Sequence, residues 1–190
     1  MNDANLTGAY FFKRHEMAAG FQFEGDGTFQ FFYTYGAVDR KATGSFWIEG
    51  NTLKLKSDKQ PGKDFTVTHQ AQQGTGYTVQ VINKNPALAC NVLCVCIHGE
   101  GRMQEYTDNS GKAHLNVPHC DKLYVQHALF PDVLTLIKDS DNTNNYFELT
   151  LNSTLSQVSF KGIDFTIEDD RITCLSNYFM LLEDIVFLKA

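Results

Sequence analysis

Two short runs, Phe21-Gln22-Phe23-Glu24 and Thr28-Phe29-Gln30-Phe31, alternate apolar and polar residues on either side of Gly25-Asp26-Gly27. A period of two puts every second side chain on one face of an extended chain, a pattern a helix cannot bury on one side. Glycine reaches positive φ without a Cβ clash, so the Gly-Asp-Gly step reads as a tight hairpin turn. The arrangement returns at Ser45-Phe46-Trp47-Ile48 and Thr52-Leu53-Lys54-Leu55-Lys56, joined through Glu49-Gly50-Asn51. With residues 8–13 in front, residues 6–68 read as an antiparallel meander of five or six strands.

A loop follows at 57–64, marked by Pro61-Gly62, and a Gln- and Gly-containing shift at 70–76 reads as a domain boundary. Residues 76–151 then offer seven short strands, near 77–83, 92–98, 102–107, 113–117, 122–127, 133–138 and 146–151. Their spacing, with turn residues between them, suggests a β-sandwich. Residues 130–136 read alternatively as a short helix, since Pro131 and Asp132 suit a first turn. Alternation resumes at Val158/Phe160, Ile163/Phe165/Ile167 and Ile185/Phe187, with a helical turn expected at 176–183, capped by Ser176. An open meander has two exposed edges, which the last strands can cover. The expected fold is therefore all-β: an antiparallel barrel-like meander plus a seven-stranded immunoglobulin/transthyretin-like sandwich. In one arrangement 1–72 joins 157–190 as the barrel-like domain and 73–156 is inserted. In the other, 1–72 and 73–190 are consecutive.

The chain has 190 residues and 13% aromatics, enough for a genuine core without disulfide staples. Its net charge of −6 argues against a polyanion-coating protein. Tyr33, Tyr35 and Trp47 are interleaved with Arg40, Lys41, Lys54 and Lys56, but residues 1–63 hold eight basic and seven acidic groups, so no nucleic-acid partner is expected. No apolar run approaches the ~18 residues of a membrane helix, and no membrane partner is expected. The opening residues lack a basic n-region and an apolar h-region, so a cytoplasmic protein is expected if Met1 is the native start. The five cysteines cannot all pair with one another, and reduced, buried thiols fit a reducing compartment.

The stretch Gly101-Arg-Met-Gln-Glu-Tyr-Thr-Asp-Asn-Ser-Gly-Lys-Ala-His-Leu-Asn-Val117 resembles the heart of a carboxypeptidase-regulatory-like (transthyretin-like) sandwich. That family sets a Thr-Asp-x-x-Gly turn between two strands, matched here by Thr107, Asp108 and Gly111. The resemblance spans some 75 residues, brings no catalytic residues, and implies an accessory or binding role. Leu6-Thr-Gly-Ala-Tyr10, Gly25-Asp-Gly-Thr-Phe29 and the run from Tyr35 to Trp47 resemble lipocalin-like bacterial β-barrels. Gly8-Ala9-Tyr10 stands where a lipocalin carries Gly-x-Trp, so an enclosed lipocalin-type ligand is not expected.

Three constellations bear on chemistry. Cys94, Cys96 and His98 fall at i, i+2 and i+4 on one strand face, the donor types zinc takes, although zinc sites usually draw them from knuckles. Leu93, Val95 and Ile97 make the other face apolar, which is the pattern of a doubly covered core strand. Asp139-Ser-Asp-Asn-Thr-Asn-Asn145 has acidic residues at the first positions of a calcium loop but lacks its glycine and final glutamate, so it reads as a solvated hairpin loop. Glu168-Asp169-Asp170 is an acidic trio expected in a turn. The most site-like loop runs from Tyr33 to Lys41 and offers Tyr33, Tyr35, Asp39 and Arg40 as ligand contacts beside Gly36. Its structural reading is a corner in which Asp39 caps the turn and pairs with Arg40. No nucleophile elbow, zinc-protease helix or phosphate-binding glycine loop is present. The expectation is a non-enzymatic module binding a peptide, glycan or partner protein, without a cofactor. The alternatives are an enzyme with an unrecognised site, or a metal or redox protein using Cys94, Cys96 and His98.

Overall fold

Aromatic alternation in the first third of the chain becomes the inner wall of a closed barrel. The computed structural model describes residues 6–190, which divide into two units: the described residues up to Gln60 with Ser156–Ala190, and Pro61–Leu155. The first unit contains β1 (Gly8–Arg14), β2 (Met17–Phe23), β3 (Thr28–Tyr35), β4 (Val38–Glu49) and β5 (Thr52–Ser57). The final strands β14 (Phe165–Glu168), β15 (Arg171–Cys174) and β16 (Ile185–Lys189) belong to it as well. Their order is β1-β16-β15-β14-β5-β4-β3-β2, and pairing of Phe11 with Leu188 closes the ring. Closure removes the unpaired edges that an open meander would leave.

The barrel interior is packed with rings. Phe21 is 1% exposed, and its ring centroid lies 4.6 Å from Phe31, 5.1 Å from Phe187, 5.3 Å from Phe165 and 5.6 Å from Phe160. Phe160 comes from the segment that bridges Gln157 to Lys41 in parallel fashion, and it holds φ at +52°. That conformation costs about 1–2 kcal/mol, while burial of a phenylalanine contributes roughly 1.5–3 kcal/mol, so the buried ring offsets the strain. Residues 176–183 form no helix. Asn177, rather than Ser176, organises them, its Oδ1 accepting from the N–H groups of Phe179 and Met180.

The second unit is two four-stranded sheets around one shared core. One sheet has the order β10 (Lys112–Leu115), β7 (Tyr77–Ile82), β13 (Tyr146–Leu151), β6 (Phe65–Ala71). The other has β12 (Thr135–Lys138), β11 (Lys122–His127), β8 (Val92–His98), β9 (Gly101–Tyr106). Phe65, Val79, Leu115, Phe147 and Leu149 from the first sheet meet Val92, Cys94, Leu123, Val125 and Ile137 from the second. The sandwich thus has eight strands, not seven, because β6 pairs with β13 instead of extending the barrel. The shift at 70–76 is an internal connection and not a domain boundary. It arches over the start of β13, which is antiparallel to β6 and parallel to β7. Residues 130–136 form no helix and lead directly into β12. Among the described residues no helix is long and apolar enough to cross a membrane.

The turn after β9 takes the geometry its residues dictate. Asp108 Oδ1 accepts from the N–H groups of Ser110 and Lys112 and from the Ser110 hydroxyl, and Gly111 sits at φ +76°. The Ser110 hydroxyl, followed by the two backbone donors, holds the Asp108 carboxyl below its ordinary range.

Candidate functional site

The four residues expected to form a ligand loop are divided between the barrel interior and the surface. Tyr33 pairs across β3–β4 with Arg40, and both point into the barrel, at 5% and 3% exposure. Arg40 donates to the Gln157 carbonyl at 2.9 Å and lies over the Phe179 ring at 5.5 Å. Tyr33 meets the same ring edge-on, and burial pushes its phenol up. Tyr35 and Asp39 are exposed. Tyr33 and Arg40 therefore anchor the 156–160 segment inside the barrel and share no ligand surface with Asp39, whose side chain projects to the opposite face of its strand.

The expected metal face is a core face. Cys94 and Cys96 are buried in the sandwich, and burial pushes the Cys94 thiol up to about 12. Cys96 Sγ donates to the His119 carbonyl and Cys120 Sγ to the Lys122 carbonyl, and burial raises both thiols, Cys120 to about 12. Ligation and redox chemistry require a thiolate, which such burial disfavours. His98 lies outside the core on the same strand, with Nδ1 3.0 Å from Asp121 Oδ2. Among the described residues no group of three or more His, Cys, Asp or Glu side chains is arranged to hold a metal. At 139–145 the polar side chains fold back on the loop: Asn142 Oδ1 accepts from the Asn144 N–H and its Nδ2 donates to Gln70. Asp169 takes φ +50° in the β14–β15 turn, which Arg171 clamps through an ion pair to Glu168.

A different feature emerges at β9, the outer strand of its sheet, which pairs only with β8 among the described residues. All six of its residues are exposed. The Thr107 N–H donates to the Val92 carbonyl at 2.9 Å and the Val92 N–H to the Thr107 hydroxyl, which puts Val92 and Thr107 at a hydrogen-bonding position of the ladder. Bonding alternates along an antiparallel ladder. Met103 and Glu105 therefore bond to β8, while Arg102, Gln104 and Tyr106 direct their N–H and C=O groups away from it. The hairpin that starts β9 is pinned by Asp121, which accepts from the Gly99 N–H at 3.1 Å and from His98. The Gly99 bond, ahead of the His98 contribution, holds this carboxyl low.

Next to this free edge lies a pocket of about 260 Å³ whose lining includes Cys96, Arg102, Met103, Val117, Pro118 and His119. It opens because β9 and β10 leave the Thr107–Gly111 turn close together and then join different sheets. On the other side of Val117 and Pro118 is a groove of about 660 Å³, beneath the arch between β6 and β7. Asn145 builds the arch: its Oδ1 accepts from the Gln73 N–H at 2.7 Å and its Nδ2 donates to the Gly76 carbonyl at 2.9 Å. Gly76 stands at φ +69°, where a Cβ would come within 2.6 Å of the Leu115 carbonyl oxygen.

The barrel carries exposed aromatics of its own. Phe11 and Phe32 lie over Gly20 on the outer wall, their centroids 6.4 Å apart, and fill the space a side chain there would take. This filling accounts for their place on the surface. The β9 edge was not singled out in the sequence, although a signal is present. Gly101-Arg-Met-Gln-Glu-Tyr106 has no apolar face to bury, unlike the runs on either side of it. Comparison with family models, curated proteins and solved structures finds no match to the chain.

Proposed function

We propose that this chain is a non-enzymatic binding module that captures an extended peptide segment of a partner protein by strand addition at β9. The observation carrying this reading is the open edge of β9 beside an apolar pocket. Strand addition needs both: unpaired main-chain groups supply affinity, and a pocket for a side chain supplies selectivity. Exposed edges invite indiscriminate pairing, and proteins commonly blunt them with charge. Here Arg102 and Glu105 do so only in part, and Tyr106 stays half exposed. The transthyretin-like resemblance, whose members act mainly as accessory binding domains, agrees with this reading. A reducing compartment is the setting we propose for it, since all five cysteines are free thiols.

Selection of a random peptide library on the full chain, followed by amide hydrogen exchange of the best binders' complexes, tests the proposal. Exchange should slow at Arg102, Gln104 and Tyr106, while Met103 and Glu105, already bonded to β8, change little. Gln104→Pro should abolish binding yet preserve the fold, because the N–H it removes faces away from β8. Failure to enrich any peptide, or bound peptides that leave those three amides exchanging as before, would overturn the proposal.

A further inference from the structure

Val117 and Pro118 line both the apolar pocket beside β9 and the larger groove beneath the β6–β7 arch. A chain leaving the pocket therefore needs to cross only these two residues to enter the groove. The two cavities differ sharply in chemistry. The pocket offers Cys96, Met103, Val117 and Pro118 to a side chain. The groove offers Gln72, Gln73, Thr75, Asn116, Thr143 and Asn145, and among the described residues no charged side chain lines it.

We propose that the groove is the second half of the peptide site and that it selects a tract of uncharged hydrogen-bonding residues (Asn, Gln, Ser or Thr) flanking an apolar anchor. The inference rests on the peptide reading above and specifies the partner's sequence. Its groups are held in place before any ligand arrives. Gln72 Nε2 donates to Thr143 Oγ1 at 3.1 Å, and Asn145 is fixed from both ends of its amide. Fixed side chains lose little conformational freedom on binding. A side-chain amide both donates and accepts, so a row of them matches amide or hydroxyl groups of a ligand in either sense. A charged ligand residue would lose water there and find no opposite charge, which penalises it. Discrimination thus arises from rejection of charge as much as from attraction.

The test is a positional-scanning peptide library on the full chain, with the groove variants Asn116→Asp and Gln73→Glu, both at exposed positions. The wild-type chain should prefer Asn, Gln, Ser or Thr over charged residues at the positions flanking the anchor by about tenfold, equivalent to roughly 1.4 kcal/mol. Each variant should turn that preference toward Lys or Arg while choice of the anchor is unchanged. Peptides that protect Arg102, Gln104 and Tyr106 but show no flanking preference would overturn this inference and leave strand addition standing. Absence of any selected peptide would overturn both. A neutral trisaccharide (maltotriose, cellotriose or chitotriose) that shifts the amide resonances of residues 72–77, in a chain whose peptides ignore the groove, would assign the groove to glycans and overturn the inference as well.

Discussion

Gly44 shows how a single hydrogen can be a structural requirement. A Cβ built there would sit 2.1 Å from the Lys56 carbonyl oxygen and 2.8 Å from the Ser57 Cα. Both are backbone atoms, so no side chain can turn aside to make room. Gly44→Ala should cost about 1–3 kcal/mol, the range for overpacking, and the midpoint of urea unfolding should fall accordingly. Gly20 is the milder case, since the atoms a Cβ would meet belong to the Phe11 and Phe32 rings, which can rotate. His127 illustrates a titratable residue held neutral. Its Nδ1 accepts from the Leu129 N–H at 3.1 Å, which leaves Nε2 to donate to the Leu88 carbonyl. Burial depresses its pKa below 6.5. A depressed histidine contributes stability that is present above its unfolded pKa and lost as pH falls toward the folded value. Stability should therefore drop on acidification below about 6.5, and His127→Gln should flatten that part of the profile in denaturant titrations at stepped pH. The thiols act at the other extreme. Their pKa values rise from 9.0 to about 12 at Cys94 and Cys120, so the stability they contribute is complete below pH 9 and fades toward 12. Alkylation with iodoacetamide at neutral pH should spare Cys94, Cys96 and Cys120 in the native protein and modify them after unfolding.

At the scale of elements, the Gly99 hairpin positions the start of β9, and Asp121 holds it through charge-assisted bonds. Asp121→Asn should raise amide exchange at Gly99 and weaken capture of peptides without altering far-UV circular dichroism. The depressed carboxyl implies a sign for acid as well: its contribution is present above the unfolded carboxylate range and lost as pH falls through the lower folded value. Most strands were legible in the sequence because alternation and glycine turns are local signals. Phe21, Phe23, Phe29 and Phe31 all face inward, as their period requires. The failures lie where the signal was not local. Residues 130–136 carried a proline and an aspartate fit for a helix start, yet Leu136 is paired in β12 opposite Tyr124. Ser176 was a plausible cap, but Asn177 has the amide oxygen that accepts from the Phe179 and Met180 N–H groups. The division of the candidate ligand loop has another cause: nothing in Tyr33-Thr-Tyr or Asp39-Arg40 states which face the barrel will enclose. Edge position is likewise a property of neighbours, so β9 could be read as a strand but not as an open one.

For the whole molecule, the all-β class followed from composition and period, whereas the barrel's closure and the membership of β6 depended on pairing over long sequence separations. Phe65 pairs with Leu151 and Phe165 with Leu53, and no motif announces either. The units have separate cores, so each should fold when isolated. A fragment of residues 61–155, and a chain in which a short Gly/Ser link joins Gln60 to Ser156, should each unfold cooperatively and give dispersed amide spectra; a collapsed spectrum for the shortened chain would contradict the autonomy of the barrel. The seams explain why this excision should work. The Asn152 N–H bonds to the Asp64 carbonyl at 2.8 Å on one side, and Lys59 Nζ reaches the Gln157 carbonyl at 2.8 Å on the other. Entry and exit of the inserted unit are thereby cinched together like the neck of a purse. Heredity can treat such a unit as a cassette: recombination at two neighbouring points moves it into a new host, or replaces it, without obliging the recipient barrel to reopen a single stave.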